Sequence, residues 1–151
     1  MKSNKLAIVP FNIAKDLKEL GFNWGVLGAY NSQGVYWPSG YTNNKELEFG
    51  YAAPEQALVA LWLRNVHNVH IQPNYTVFDD SKYEHYVGYR LNIIIGEKGE
   101  FKAYNLILND DELNLKYNGG IMQGHGIVFA SYEEAELEGI KECIKYLKNE
   151  I

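Results

Sequence analysis

The sequence predicts an α+β fold, with an antiparallel sheet (a hairpin plus a three-stranded meander) packed against about three helices. Three observations predict it. Apolar residues recur at helical spacing near both ends and around 57–66, the middle of the chain switches to a period of two, and Gly-rich turns separate the alternating runs. No internal repeat, low-complexity tract or linker divides the chain, so a single domain spanning 1–151 is expected.

The first helix is placed by its stop. Ile13, Leu17 and Leu20 sit at helical spacing, Gly21 follows as the left-handed cap, and Phe22 stands where a Schellman motif returns its hydrophobic contact to Leu17. Asn12 is the expected cap at the other end. Trp24 to Tyr30 and Val35 to Trp37 then read as a hairpin around Asn31-Ser32-Gln33-Gly34. The loop through Pro38, Ser39, Gly40, Asn43 and Asn44 is expected to be the mobile segment of the first half.

A second helix is expected from Pro54, favourable at a first helical position, to about His67. Apolar residues between Ala57 and Val66 cover nearly its whole circumference, which predicts a central buried helix with Trp62 as a core anchor. From Val69 the alternation begins, and Pro73 marks an edge strand because it removes a ladder donor. Tyr83, His85, Val87, Tyr89, Leu91, Ile93 and Ile95 form a second alternating face, and Phe101 to Leu108 returns after Gly96-Glu97-Lys98-Gly99. Asn109 to Gly126 is polar and glycine-rich and reads as loop, with a short strand around Leu113 to Tyr117. Ser131 opens the last helix with Glu134 in a capping box, and Leu137, Ile140, Ile144, Leu147 and Ile151 line one face.

Charge and cysteine content bound the function. A net charge of -5 sets the average field against a phosphate backbone, so no nucleic-acid partner is expected. The densest basic group, Lys141, Lys145 and Lys148, is interleaved with Glu142 and Glu150 and reads as a solvated helix face. One cysteine, Cys143, excludes an intrachain disulfide and a Cys-rich zinc site. Met1 to Lys5 leads into an apolar run only from Leu6 to Val9, too short for a signal-peptide core or a membrane span. A soluble cytoplasmic protein without membrane partner is the expectation, and the sequon at Asn74 is read as incidental.

Three blocks in order resemble a group of small uncharacterised phage and prophage proteins of Bacteroidetes. They are Ala14-Lys15-Asp16-Leu17-Lys18-Glu19-Leu20-Gly21-Phe22, then Ala53-Pro54-Glu55-Gln56 leading to Trp62-Leu63-Arg64 and His67, and Tyr132-Glu133-Glu134-Ala135 running into the terminal helix. Together they cover about a third of the chain. The resemblance implies a phage origin, and with it the host cytoplasm as the location, and transfers no activity and no site residues.

No cofactor and no metal are expected. His67 and His70 fall at a helix end and in the next strand, without the one-face spacing of a helical zinc motif. Cys143 lies beside the Ile140 and Ile144 stripe, where core packing explains it better than nucleophilic catalysis. Asp79-Asp80 and Asp110-Asp111-Glu112 read as solvated turns, because neither carries the calcium-loop pattern. No Gly-x-Ser-x-Gly elbow or phosphate-cradling glycine pattern is present, so no catalytic residues are assigned.

The compositional oddity is aromatic: 12 Tyr, 3 Trp and 6 Phe, with Tyr30, Tyr36, Trp37 and Tyr41 around one hairpin and its following loop. Tyr and Trp suit binding surfaces, offering area and a polar handle at low rotamer entropy. Tyr36, Trp37 and Tyr41 are therefore the candidate contact residues. His125 joins them because Gly124 and Gly126 permit close backbone approach. The leading function class is a non-catalytic binding protein of phage type that occupies a host protein or sequesters a small molecule. The alternatives are a small hydrolase or nucleotide-processing enzyme using His125 with an acidic pair, and a virion or assembly component that forms a homo-oligomer.

Overall fold

Helix α1, Phe11–Glu19, ends as its sequence dictates. Gly21 takes φ 89°, the Phe22 N–H donates to Leu17 O at 2.8 Å and the Gly21 N–H to Lys18 O at 3.1 Å. Those two bonds are the Schellman motif, and they satisfy carbonyls that the helix end leaves open. At its start the cap is Pro10, with φ -62° and ψ 159° and no side-chain hydrogen bond. Asn12 lies inside the helix, one residue past its first, and does not cap it.

The computed structural model describes residues 7–80, 83–97, 100–105 and 129–150. Contacts cluster into two compact units, Met1–Trp62 with Ile140–Ile151, and Leu63–Gly139. Within the described residues the architecture is α+β, with three helices and two antiparallel sheets.

In the first unit, β1 (Ala29–Tyr30) and β2 (Tyr36–Trp37) form the expected hairpin, with Ala29 opposite Trp37 and Tyr30 opposite Tyr36. The turn is closed locally. Asn31 Oδ1 accepts from the N–H groups of Gln33 and Val35, and Gly34 sits at φ 84°, a conformation that costs a residue without a side chain little. A third strand that the sequence does not announce, β3 (Tyr51–Ala52), pairs with β1 on its other edge, giving the order β2-β1-β3. Helix α1 packs on β3. The Phe11 ring meets those of Tyr30 and Tyr51 edge-on at 5.5 Å each, and the Lys18 ammonium donates to Leu47 O and Gly50 O at 2.7 and 2.8 Å.

The loop after β2 is anchored, against the expectation that it is the mobile part of this half. Thr42 and Val26 exchange two backbone hydrogen bonds of 2.8 and 2.9 Å. Asn44, 8% exposed, donates through Nδ2 to Phe22 O at 2.7 Å and accepts at Oδ1 from the Ala52 N–H at 2.8 Å. Both ends of one buried amide thus serve backbone groups far apart in sequence.

Helix α2 is Gln56–His67, so it starts after Pro54, which is buried. It is not buried all round. Gln56, Val59, Trp62 and Leu63 are buried at helical spacing, while Leu61 and Val66 are exposed, so one stripe rather than the circumference is covered. Trp62 is the core anchor it was expected to be: it is 2% exposed and meets Phe22 edge-on at 5.4 Å. Edge-to-face pairs of this kind contribute about 0.5–1.5 kcal/mol beyond the area they bury.

The second unit holds the meander β4 (Val69–Asp80), β5 (Tyr83–Glu97) and β6 (Glu100–Asn105), in that spatial order. Helix α2 leaves off at Asn68, whose φ of 54° turns the chain into β4. Pro73 faces Leu91 across the ladder, on the strand at the edge of the sheet among the described residues, a position that suits a residue without an N–H. Val69, Leu91, Ile93 and Ile95 are buried on the covered face, yet Tyr75, in phase with them, is 62% exposed. Helix α3, Tyr132–Glu150, begins under the Ser131 cap, whose Oγ accepts from the Glu134 N–H at 3.1 Å. It meets the meander at Gly139, where a β-carbon would stand 2.5 Å from Ile71 Cγ2, so the contact requires a bare helix surface. Farther along, in the first unit, Ile140, Cys143 and Ile144 are buried.

The expected loop from Asn109 to Gly126 with its strand near Leu113 to Tyr117 lies outside the described residues, as do the acidic group Asp110-Asp111-Glu112 and the turn at Lys98-Gly99.

Candidate functional site

The candidate site is a cleft in the first unit, built around Gly25-Val26-Leu27-Gly28. The paired hydrogen bonds between Val26 and Thr42 pull the loop after β2 back across this segment. Tyr41, the residue before Thr42, is thereby laid over Gly25, where a β-carbon would come within 2.3 Å of its ring. Tyr36, opposite Tyr30 in the hairpin, reaches the neighbouring seat, with its hydroxyl 2.4 Å from the place a β-carbon on Gly28 would occupy. The chain bends at Leu27 between these two glycines, and Leu27 is 68% exposed. The cleft encloses about 840 Å³.

Its floor is backbone that is already satisfied. Gly28 O accepts from the Ala53 N–H at 2.9 Å, and Ala53, Ile8 and Leu58 present apolar surface. The Tyr30 hydroxyl donates to Val9 O at 2.7 Å. Burial, and next the proximity of Tyr36, push the Tyr30 phenol above its ordinary value, so it stays protonated. Among the described residues, Glu55 is the one charged side chain on the wall. It stands just before α2, held there by a backbone bridge to Ile8 and by the Gln56 N–H donating to Ala7 O at 2.8 Å.

Of the sequence candidates, Tyr36 and Tyr41 come together in this cleft, 46% and 76% exposed. Trp37 does not join them. Successive residues of a strand point to opposite faces, and the Trp37 ring instead lies 3.5 Å from where Gly50 would carry a β-carbon. His125 lies outside the described residues. Sequence reasoning missed Gly25, Gly28 and Glu55. A pair of glycines inside an apolar run ahead of a tyrosine-rich hairpin is the signal of close approach that could have found the two seats.

The other described constellations lie outside this cleft. Cys143 is 0% exposed, and burial, with Glu142 adding to it, pushes its thiol up to about 12. Lys141, Lys145 and Lys148 are exposed along α3, and Lys148 pairs with Asp16 and, at 3.1 Å, with Glu19. His67 ends α2, half-buried, and burial holds its imidazole below the usual value. His70 Nε2 lies 3.3 Å from Asn68 Oδ1. Among the described residues no group of three or more His, Cys, Asp or Glu could hold a metal, and no helix is long and apolar enough to cross a membrane. Asp79 and Asp80 close β4, and their side chains lie outside the described residues.

A separate cluster in the second unit escaped the sequence reading. Tyr75, Tyr89 and Tyr132 stack edge to face in series, at 5.4 and 5.9 Å. Tyr132 hydrogen-bonds Glu136, which is 6% exposed and whose carboxyl burial raises. Compared with known proteins, the chain matches no family model, no curated protein and no solved structure.

Proposed function

We propose that the protein is a non-catalytic binding protein that sequesters a small molecule in the cleft walled by Tyr36 and Tyr41. One observation carries this reading: both rings are seated on glycine backbone at the rim of an apolar hollow of about 840 Å³. That size suits a small-molecule ligand, and aromatic walls with few polar groups are the usual lining of such sites. Holding a ring on a bare α-carbon restricts it before a ligand arrives, which lowers the ordering cost of binding. General acid–base chemistry commonly uses a pair of titrating groups, whereas this wall offers one carboxylate and tyrosines. In the phage setting that the sequence resemblance implies, such a protein withholds a host metabolite.

The test is a titration of isotope-labelled protein with a panel of small aromatic compounds, neutral and charged. Saturable shifts of the Gly25 and Gly28 amide signals are expected, and they should vanish in Tyr36→Ala and Tyr41→Ala. Shifts that survive both substitutions, or no shift from any compound, overturn the reading.

A further inference from the structure

We infer that the cleft takes a cationic ligand, an apolar or aromatic body ending in a primary ammonium or guanidinium group that pairs with Glu55. This rests on the sequestering role proposed above and adds the chemical class of what is sequestered. The argument is one of charge complementarity. Glu55 is the one charged side chain on the wall among the described residues, and no lysine or arginine there offsets it. An anionic ligand would meet that carboxylate without any compensating donor, and a neutral one would leave it to water. The faces of Tyr36 and Tyr41 carry negative quadrupoles, which attract a cation while stacking on the body that carries it. The net charge of -5 draws cations toward the chain before contact.

The geometry limits the ligand further. The Tyr30 hydroxyl spends its proton on Val9 O, so it can only accept a hydrogen bond from the cleft side, again favouring a donor-rich head group. The Gly28 carbonyl already accepts from Ala53. The cleft therefore asks for N–H donors and apolar surface, which an arylalkyl amine supplies.

Three probes of nearly equal shape separate the possibilities: 2-phenylethylamine, 2-phenylethanol and phenylacetate, titrated at neutral pH into wild type and Glu55→Gln. In wild type the amine should bind about tenfold more tightly than the alcohol, the size expected of one exposed ion pair plus a cation–π contact, with the acid weakest. In Glu55→Gln the preference of amine over alcohol should fall to about twofold or less, while the alcohol binds as before. An amine no tighter than the alcohol in wild type, or a preference that survives Glu55→Gln, overturns the inference while leaving the cleft a binding site. If none of the three shifts the Gly25 and Gly28 signals, the cleft reading and this inference fail together. The wild-type series decides the matter even if Glu55→Gln does not fold, and Glu55→Asp, which keeps the charge, should retain part of the preference.

Discussion

The Tyr36 ring rests on the α-carbon of Gly28, so closely that a β-carbon there would lie 2.4 Å from the phenolic oxygen. Gly28→Ala therefore cannot leave the ring where it is. Tyr36 is a half-exposed surface residue and can swing outward, so the substitution should act on the cleft more than on stability. Displacing the ring from its seat is expected to cost about 0.5–1.5 kcal/mol of ligand affinity, roughly twofold to twelvefold. Binding constants and a thermal melt of the same sample check this. A melt that collapses while binding per folded molecule is unchanged would show that Gly28 serves packing alone.

Asn44 ties together two strands of chain that share no regular pairing. Removing its amide in Asn44→Ala orphans the Phe22 carbonyl and the Ala52 N–H inside the first unit. Each buried group left without a partner costs about 1–3 kcal/mol, so urea denaturation should report a loss of about 2–4 kcal/mol. Asn44→Asp keeps the bond from Ala52 but turns a carboxylate oxygen toward the Phe22 carbonyl, and should be no better tolerated. A loss below about 0.5 kcal/mol in Asn44→Ala would mean that water replaces both bonds.

Glu136 makes stability pH-dependent in a direction opposite to that of most carboxylates. Burial raises its pKa, outweighing the Tyr132 hydrogen bond that favours the charged form, and Glu133 adds to the rise. Between the unfolded value and the raised one, the folded state holds more protons than the unfolded state. This contribution to stability is present at low pH and is lost as pH climbs through that window. Glu136→Gln keeps a neutral side chain of the same shape. Its stability relative to wild type should therefore rise as pH climbs above the ordinary glutamate range, as read from urea midpoints. A relative stability that falls over that climb would contradict the assignment.

Cys143 should be silent in the folded protein. With its thiol pushed up to about 12 and no exposed surface, alkylation at mildly alkaline pH should run about a thousandfold or more slower than in denaturant. Mass spectrometry of iodoacetamide-treated samples measures it. Rapid labelling under native conditions would place the sulfur in contact with solvent.

The elements that could be read directly are those whose signals are local. Gly21 with Phe22 stops α1, Ser131 starts α3, Asn31 through Gly34 closes the hairpin, and the alternation ending at Ile95 builds the meander, because each depends on residues within a few positions. Strand β3 carries no such signal. At two residues it has no period, and it exists because β1 offers an edge and Asn44 holds the Ala52 N–H in place. The exposed side of α2 at Leu61 and Val66, and the burial of Glu136 on α3, were equally hidden, since burial belongs to what packs against a helix rather than to its own composition.

By itself, the amino-acid sequence determined the class of fold, the places where the chain turns and the surplus of tyrosine near the first hairpin. Only the tertiary structure decided which rings share a wall. Tyr36 and Trp37 are neighbours in the chain, yet strand alternation sends them to opposite faces, while the Val26–Thr42 bridge carries Tyr41 back to the side of Tyr36. That choice rests on hydrogen bonds between segments separated by a whole hairpin, and no local propensity encodes such a pairing.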